Sequence, residues 1–265
     1  MRLASYLFQR VRECGVEITF GIPGDFALPL YAAQEAAGMR TVVMTHEPSV
    51  GYAADVYARL RGLGVSVVTY GAGALNMVNA VAMAYAEESP LLVLSGAPEV
   101  FPRRRDTLFH HRVKGYDTQL RVFQEVTEAS AVLDDPRTAA YEIDRVLDAV
   151  RSRSRPGYLE IPRDRVNAEL DPNAPAYTRP EPDRDGLEEA IAEIVERLNR
   201  SRRVVVFAGQ EAERFGLMEK LVRLVEKVDV PVATSLIGKT VVPEQHPNFI
   251  GNYMGRISDT AVRQA

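Results

Sequence analysis

The chain has 265 residues, of which 46 % are hydrophobic and 26 % charged, and its formal net charge is −4. That is the composition of a soluble globular protein with room for one large or two small domains. It offers no basic face of the kind a nucleic-acid partner requires, and no apolar run approaches the length of a membrane span.

The first helix is expected over residues 3–14, where Leu3, Leu7, Val11 and the single cysteine, Cys14, recur at helical spacing. A lone cysteine forms no disulfide within the chain and no metal cluster, so Cys14 reads as a small buried hydrophobe. Gln9, Arg10, Arg12 and Glu13 interrupt the N-terminal apolar residues too early for a signal peptide, and a cytoplasmic location is expected. Ile18–Ile22 reads as a short buried strand, 26–37 as helix, Thr41–Thr45 as strand, 49–61 as helix, Val65–Tyr70 as strand and 74–87 as helix. Leu91–Ser95 is a further strand, 136–152 a helix, and Tyr158–Ile161 closes the series. Short apolar runs alternating with amphipathic helices predict an α/β fold, a parallel sheet covered by helices on both faces. The run Arg103–Arg105 with Asp106 reads as a solvated loop.

Four prolines (Pro172, Pro175, Pro180 and Pro182) break the pattern, so the first domain is expected over 1–165 and a linker over 166–184. A second α/β pattern follows over 185–265, with helices at 185–199 and 214–228 and strands at Val204–Ala208 and Val230–Thr234. Two parallel strands make a poor sheet, so this domain reads as partial.

Three segments carry candidate chemistry. Gly71-Ala72-Gly73-Ala74-Leu75-Asn76 lies between a strand and a helix, with Asn76 where a dinucleotide fingerprint has its third glycine. It reads as a tight turn that lets backbone approach a ligand. Glu47 follows a strand and precedes Pro48, which puts a carboxylate at the carboxyl edge of the sheet, where open α/β sheets bind ligands. Alternatively it only charges a helix N-terminus. Asp25 follows a strand and caps a helix or faces the same edge. His110 and His111 lack the spacing of a zinc site, and no carboxylate or cysteine motif completes one, so no metal ligand is expected.

Together these segments resemble the thiamine-diphosphate-dependent 2-oxo-acid decarboxylases that act on pyruvate, indolepyruvate and phenylpyruvate. The resemblance rests on Gly21-Ile22-Pro23-Gly24-Asp25-Phe26, Thr45-His46-Glu47-Pro48, Gly51–Asp55 and Thr69–Asn76, and it continues through Ser95–Pro98 to the histidine pair. It implies the family's pyrimidine-binding domain followed by part of its middle domain. It also implies that Glu47 hydrogen-bonds a ring nitrogen of the aminopyrimidine, and that Asp25, His110 and His111 relay protons. Pro23, Gly24, Ala72 and Asn76 are implied as neighbours of the cofactor. No Gly-Asp-Gly motif occurs, so magnesium and the diphosphate would be held by a diphosphate-binding domain outside this chain. The resemblance further implies a homodimer through the pyrimidine domain and a 2-oxo acid substrate, with no nucleic-acid or membrane partner. An acetolactate-synthase-like carboligase and a non-catalytic regulatory protein on the same fold stand as alternatives.

Overall fold

The computed structural model describes residues 1–105 and 107–265, less the side chains of Pro102 and Arg104. It divides into two compact units, Met1–Arg179 and Pro180–Ala265.

In the first unit α1 (Leu3–Glu13), β1 (Ile18–Gly21), α2 (Leu28–Ala36), β2 (Arg40–Val43), α3 (Glu47–Arg61) and β3 (Gly64–Val68) alternate. Then come α4 (Ala72–Asn76), α5 (Val78–Ala86), β4 (Leu91–Ala97), α6 (Val100–Arg104), α7 (Thr118–Gln124), β5 (Ala129–Val132), α8 (Ala139–Arg153) and β6 (Gly157–Pro162). The strands form one parallel sheet in the order β2-β1-β3-β4-β6-β5. Strands β3, β4 and β6 are buried along their whole length, which is why each reads as a continuous apolar run.

Alternate side chains of these strands feed two cores. Val65, Val67, Leu92, Leu94, Leu159 and Ile161 meet Leu3, Leu7, Phe8, Leu30, Ile143 and Val146 of α1, α2 and α8. Val68, Leu91, Val93 and Tyr158 meet Val50, Ala54, Val81, Ala84 and Phe123 of α3, α5 and α7 on the other face. Cys14 packs half-buried at the edge of the first core, and burial pushes its thiol pKa up.

Three differences from the sequence reading stand out. The helix expected over 74–87 is two, broken at Met77, which ends α4 and starts α5. The sequence reading gave neither β5 nor α6 and α7: Ala-Ser-Ala-Val is too weakly apolar to announce a strand. The stretch after 165 stays with the first unit as far as Arg179. Val166 is fully buried, the backbone of Arg2 forms an isolated antiparallel β-bridge with Glu169, and the Tyr177 hydroxyl donates to Asp148 at 2.9 Å.

The second unit contains α9 (Arg184–Arg200), β7 (Val206–Ala208), α10 (Glu211–Arg214), α11 (Met218–Val228), β8 (Val232–Ser235), β9 (Phe249–Tyr253) and α12 (Thr260–Gln264). Its parallel sheet has three strands, β7-β8-β9, one more than the two expected. Strand β9 contains Gly251 and Asn252, which hide it from a hydrophobic pattern. The core is small: Ala208, Val225, Val232, Val241 and Val242. Helix α9 starts on Asp183, whose carboxylate accepts from the Gly186 amide at 3.0 Å, and it buries none of its residues.

Candidate cofactor site

All six strands of the first unit run parallel, so their carboxyl ends share one edge. The chain passes from β1 outward to β2 and then returns to the other side of β1 as β3. That reversal is a topological switch point, where an open α/β sheet leaves a crevice. The segments leaving β1, β2, β3 and β4 carry Asp25, Glu47, the Gly71–Gly73 turn and the histidine pair in that order.

Glu47 is the first residue of α3, ahead of Pro48. Its carboxylate is favourably placed in the first turn of that helix, as the alternative reading required. The side chain is nonetheless engaged elsewhere: Asn76 Nδ2, at the end of α4, donates to Glu47 Oε2 at 2.9 Å. The second oxygen faces Gly73, where an added Cβ would lie 3.7 Å from Oε1 and 2.9 Å from Thr69 Cγ2. Glycine there keeps the ground in front of the carboxylate open. Ala72 and Pro23 are both exposed on this edge, and Gly24 packs on Thr69 so closely that a Cβ would come within 2.6 Å of Thr69 Cβ.

Asp25 and His110 are brought together from positions 85 residues apart, with Oδ2 and Nε2 at 2.5 Å. Thr69 Oγ1 donates to the other Asp25 oxygen at 3.5 Å. Burial pushes the Asp25 pKa up, but the hydrogen bond and charge of His110, the Phe26 amide and the charge of His111 outweigh it, and the carboxyl lies below its usual range. The His110 ring stacks on Phe26 at 4.9 Å between centroids and meets His111 edge-on at 4.9 Å. His111 itself has φ +63°, in the left-handed region.

Asp25, His110 and His111, which no local spacing links, offer donor atoms all within 4.8 Å of one another. The 2.5 Å between Asp25 and His110 is a hydrogen-bond distance. Two ligands of one tetrahedral zinc, each about 2.0–2.1 Å from the ion, stand roughly 3.3 Å apart. The arrangement is a hydrogen-bonded carboxylate–imidazole pair with a second imidazole beside it.

Two features escaped the sequence. Thr69 is the midpoint of the site, touching Gly24, the Gly73 position and Asp25 at once. Beneath it lies a buried polar group built on Gln119, at the start of α7. Gln119 Oε1 accepts from the Gly71 amide at 2.7 Å, and Gln119 Nε2 donates to Tyr158 Oη at 2.6 Å and Ser95 Oγ at 3.0 Å. The Tyr158 hydroxyl donates to Glu160 Oε2 at 2.8 Å. Arg103, read from the sequence as part of a solvated loop, instead pairs with fully buried Glu160 at 2.8 Å. Arg105 is exposed, as a solvated loop requires, while Asp106 and the side chain of Arg104 lie outside the described residues. No local signal marks Gln119 or Arg103; both matter through partners far along the chain.

Residues 1–119 match the family described as thiamine pyrophosphate enzyme, N-terminal TPP binding domain, and residues 191–265 match the central domain of the same enzymes. The chain belongs to the thiamine pyrophosphate enzyme family. The matched N-terminal stretch contains every site residue named above as far as Gln119, and the central-domain match lies within the second unit. Curated relatives include indole-3-pyruvate decarboxylase of Azospirillum brasilense, 44 % identical over 266 residues, covering 99 % of this chain and 48 % of the relative. Pyruvate decarboxylase of Aspergillus parasiticus is 34 % identical over 94 % of this chain and 44 % of its own length. Pyruvate decarboxylase isozyme 3 of Saccharomyces cerevisiae is 31 % identical over 99 % of this chain and 48 % of its own length. The chain thus spans about half the length of these thiamine pyrophosphate enzymes. The site suits the aminopyrimidine end of thiamine diphosphate: a carboxylate fixed by Asn76, a glycine-cleared approach at Gly73 and the exposed residues Pro23 and Ala72.

Proposed function

We propose that this chain is the pyrimidine-binding part of a thiamine-diphosphate-dependent, non-oxidative decarboxylase of aryl or branched 2-oxo acids. The observation that carries the reading is the meeting of Glu47–Asn76 and Asp25–His110–His111 around one residue, Thr69, at the carboxyl edge of the sheet. The names of the relatives, indole-3-pyruvate and pyruvate decarboxylase, point the same way. When bound, thiamine diphosphate supplies the nucleophilic carbon and the electron sink of the decarboxylation. Glu47 would face the aminopyrimidine ring and could hold or give up a proton at its carboxylate, which Asn76 keeps in place. Asp25 and His110 keep a proton between Oδ2 and Nε2 and pass it toward the reacting carbon, with His111 beside them. Magnesium and the diphosphate belong to a domain outside this chain. The exposed Tyr52, Val56 and Leu60 of α3, four residues apart, support a homodimer through the first unit. The single cysteine suits a cytoplasmic enzyme.

Calorimetry tests the division of labour. The isolated chain, titrated with thiamine diphosphate and magnesium, is expected to bind weakly at best and to release no carbon dioxide from phenylpyruvate. Tight binding or turnover would overturn the proposal. In the full-length protein Glu47→Gln is expected to slow exchange of the thiazolium proton into heavy water by about 100- to 10,000-fold without unfolding the protein. Exchange at the parent rate would reduce Glu47 to a helix-terminal charge.

A further inference from the structure

We infer that Gln119 is a positioning residue that clamps the two halves of this site together through the backbone of Gly71. The inference rests on reading the Gly71–Asn76 segment as the turn that meets the cofactor.

Gly71 is held in a conformation that needs an outside partner. Its φ of +70° and ψ of −114° fall where only glycine is comfortable, and its amide sits at the start of α4. That amide donates to Gln119 Oε1 at 2.7 Å, in a buried setting. An N–H can only donate, so the atom facing it must be the amide oxygen of Gln119. This fixes the side chain the other way round at its nitrogen, whose hydrogens go to Tyr158 Oη and Ser95 Oγ. Both hydroxyls are free to accept there because each donates elsewhere, Tyr158 to Glu160 Oε2 and Ser95 to the Gly96 carbonyl. Every polar end of Gln119 is therefore spoken for, in a residue only 1 % exposed. A network satisfied to this degree fixes one arrangement, because any rotation leaves a buried group unpaired.

What it fixes is the relation between the two candidate chemistries. On one side Gly71 starts α4, whose last residue, Asn76, holds Glu47. On the other, Gly71 lies against the histidine pair: an added Cβ would come within 2.3 Å of the His111 carbonyl oxygen and 2.5 Å of His111 Cβ. A shift of Gly71 moves both the Glu47 partner and His111. Gln119 anchors that hinge to β4 and β6 in the sheet. It touches neither a proposed reacting atom nor the cofactor, so its role is positioning.

The experiment compares the parent chain with Gln119→Met, which keeps the volume and loses both polar ends, and with Gln119→Asn, which stays polar but falls short by one methylene. Amide hydrogen exchange is followed residue by residue, with Val93 of β4 as the internal standard for global opening. In both variants the Gly71 amide is expected to exchange roughly 5- to 150-fold faster, the loss of one buried hydrogen bond, and by more than Val93, whose own acceleration reports the global stability lost. An unchanged Gly71 rate overturns the inference, and so does an equal acceleration at Val93, which would make Gln119 a general stabiliser. If Gln119→Met does not fold, Gln119→Asn decides alone. Thiamine diphosphate titrations of the full-length protein and its Gln119→Asn variant separate this inference from the proposal it rests on. Faster Gly71 exchange with weakened cofactor binding supports both. Faster exchange with unchanged binding leaves the clamp intact and overturns the reading of the turn as a cofactor contact.

Discussion

Asp25 and Glu160 are two carboxyls of one site with opposite electrostatics. Burial raises Asp25, but its imidazole partners outweigh that, so it ionises below the usual carboxylate range. A depressed carboxyl stabilises the fold above its unfolded pKa and loses that contribution as pH falls through the folded value. His110→Phe is therefore expected to move the Asp25 midpoint upward, as read by carbon-detected NMR titration. Asp25→Asn and His111→Gln in the full-length protein are expected to leave thiazolium proton exchange nearly intact, to slow turnover and to reshape its pH profile. Parent turnover and profile in both would leave Asp25 and its imidazole partners a structural pair, since the helix that follows is capped at Ala27 without a side-chain bond. Glu160 is fully buried, and desolvation raises it against the pull of Arg103, Tyr158 and Gln119. Its sign is the reverse: stability is full below the unfolded pKa and falls as pH rises through the raised folded value. Arg103→Met strands that carboxylate and should cost about 3–5 kcal/mol near neutral pH, and clearly less at pH 5. Urea melts at both values check it.

At the scale of elements, α3 sits on β3 with no room to spare. A Cβ at Gly64 would fall 1.9 Å from the Ala54 carbonyl oxygen, which is backbone and cannot swing away. Gly64→Ala is expected to cost about 1–3 kcal/mol, read as a lowered Tm, by prising the helix that begins at Glu47 off the sheet. Strands β3, β4 and β6 are buried on both faces, so their apolar runs declared themselves. Edge strand β5, Ala-Ser-Ala-Val, did not, because packing from α8 and pairing with β6 make it a strand. The break between α4 and α5 was equally silent, as Met77 is a good helix former and only the fold turns the chain there.

At the scale of the molecule, the two units differ in how much they bury. The first has two cores on either side of a six-stranded sheet, whereas the second has one core cluster of five buried apolar residues beside three strands and leaves Leu187, Ile191, Ile194 and Leu198 of α9 exposed. Native-state hydrogen exchange is expected to show amides of β7–β9 opening at lower free energy than those of β3, β4 and β6. Equal protection in both sheets would contradict the core comparison. The same contrast separates the legible part of the site from the rest. Glu47, Asp25 and the Gly71 turn announce themselves because each directly follows a strand. Thr69, Gln119 and Arg103 act through partners dozens of positions away, and nothing beside them in the sequence says so. The Asp25–His110 pair, 85 positions apart, carries this furthest. Closing a loop of that length costs on the order of 4 kcal/mol of chain entropy, before any constant term. The pair is thus a poor nucleus, and substitutions there should change the unfolding rate rather than the folding rate. On the ribosome, Glu47 and Asp25 emerge long before the histidines, and a nascent chain has the sheet's first strands in hand well before it has a proton relay.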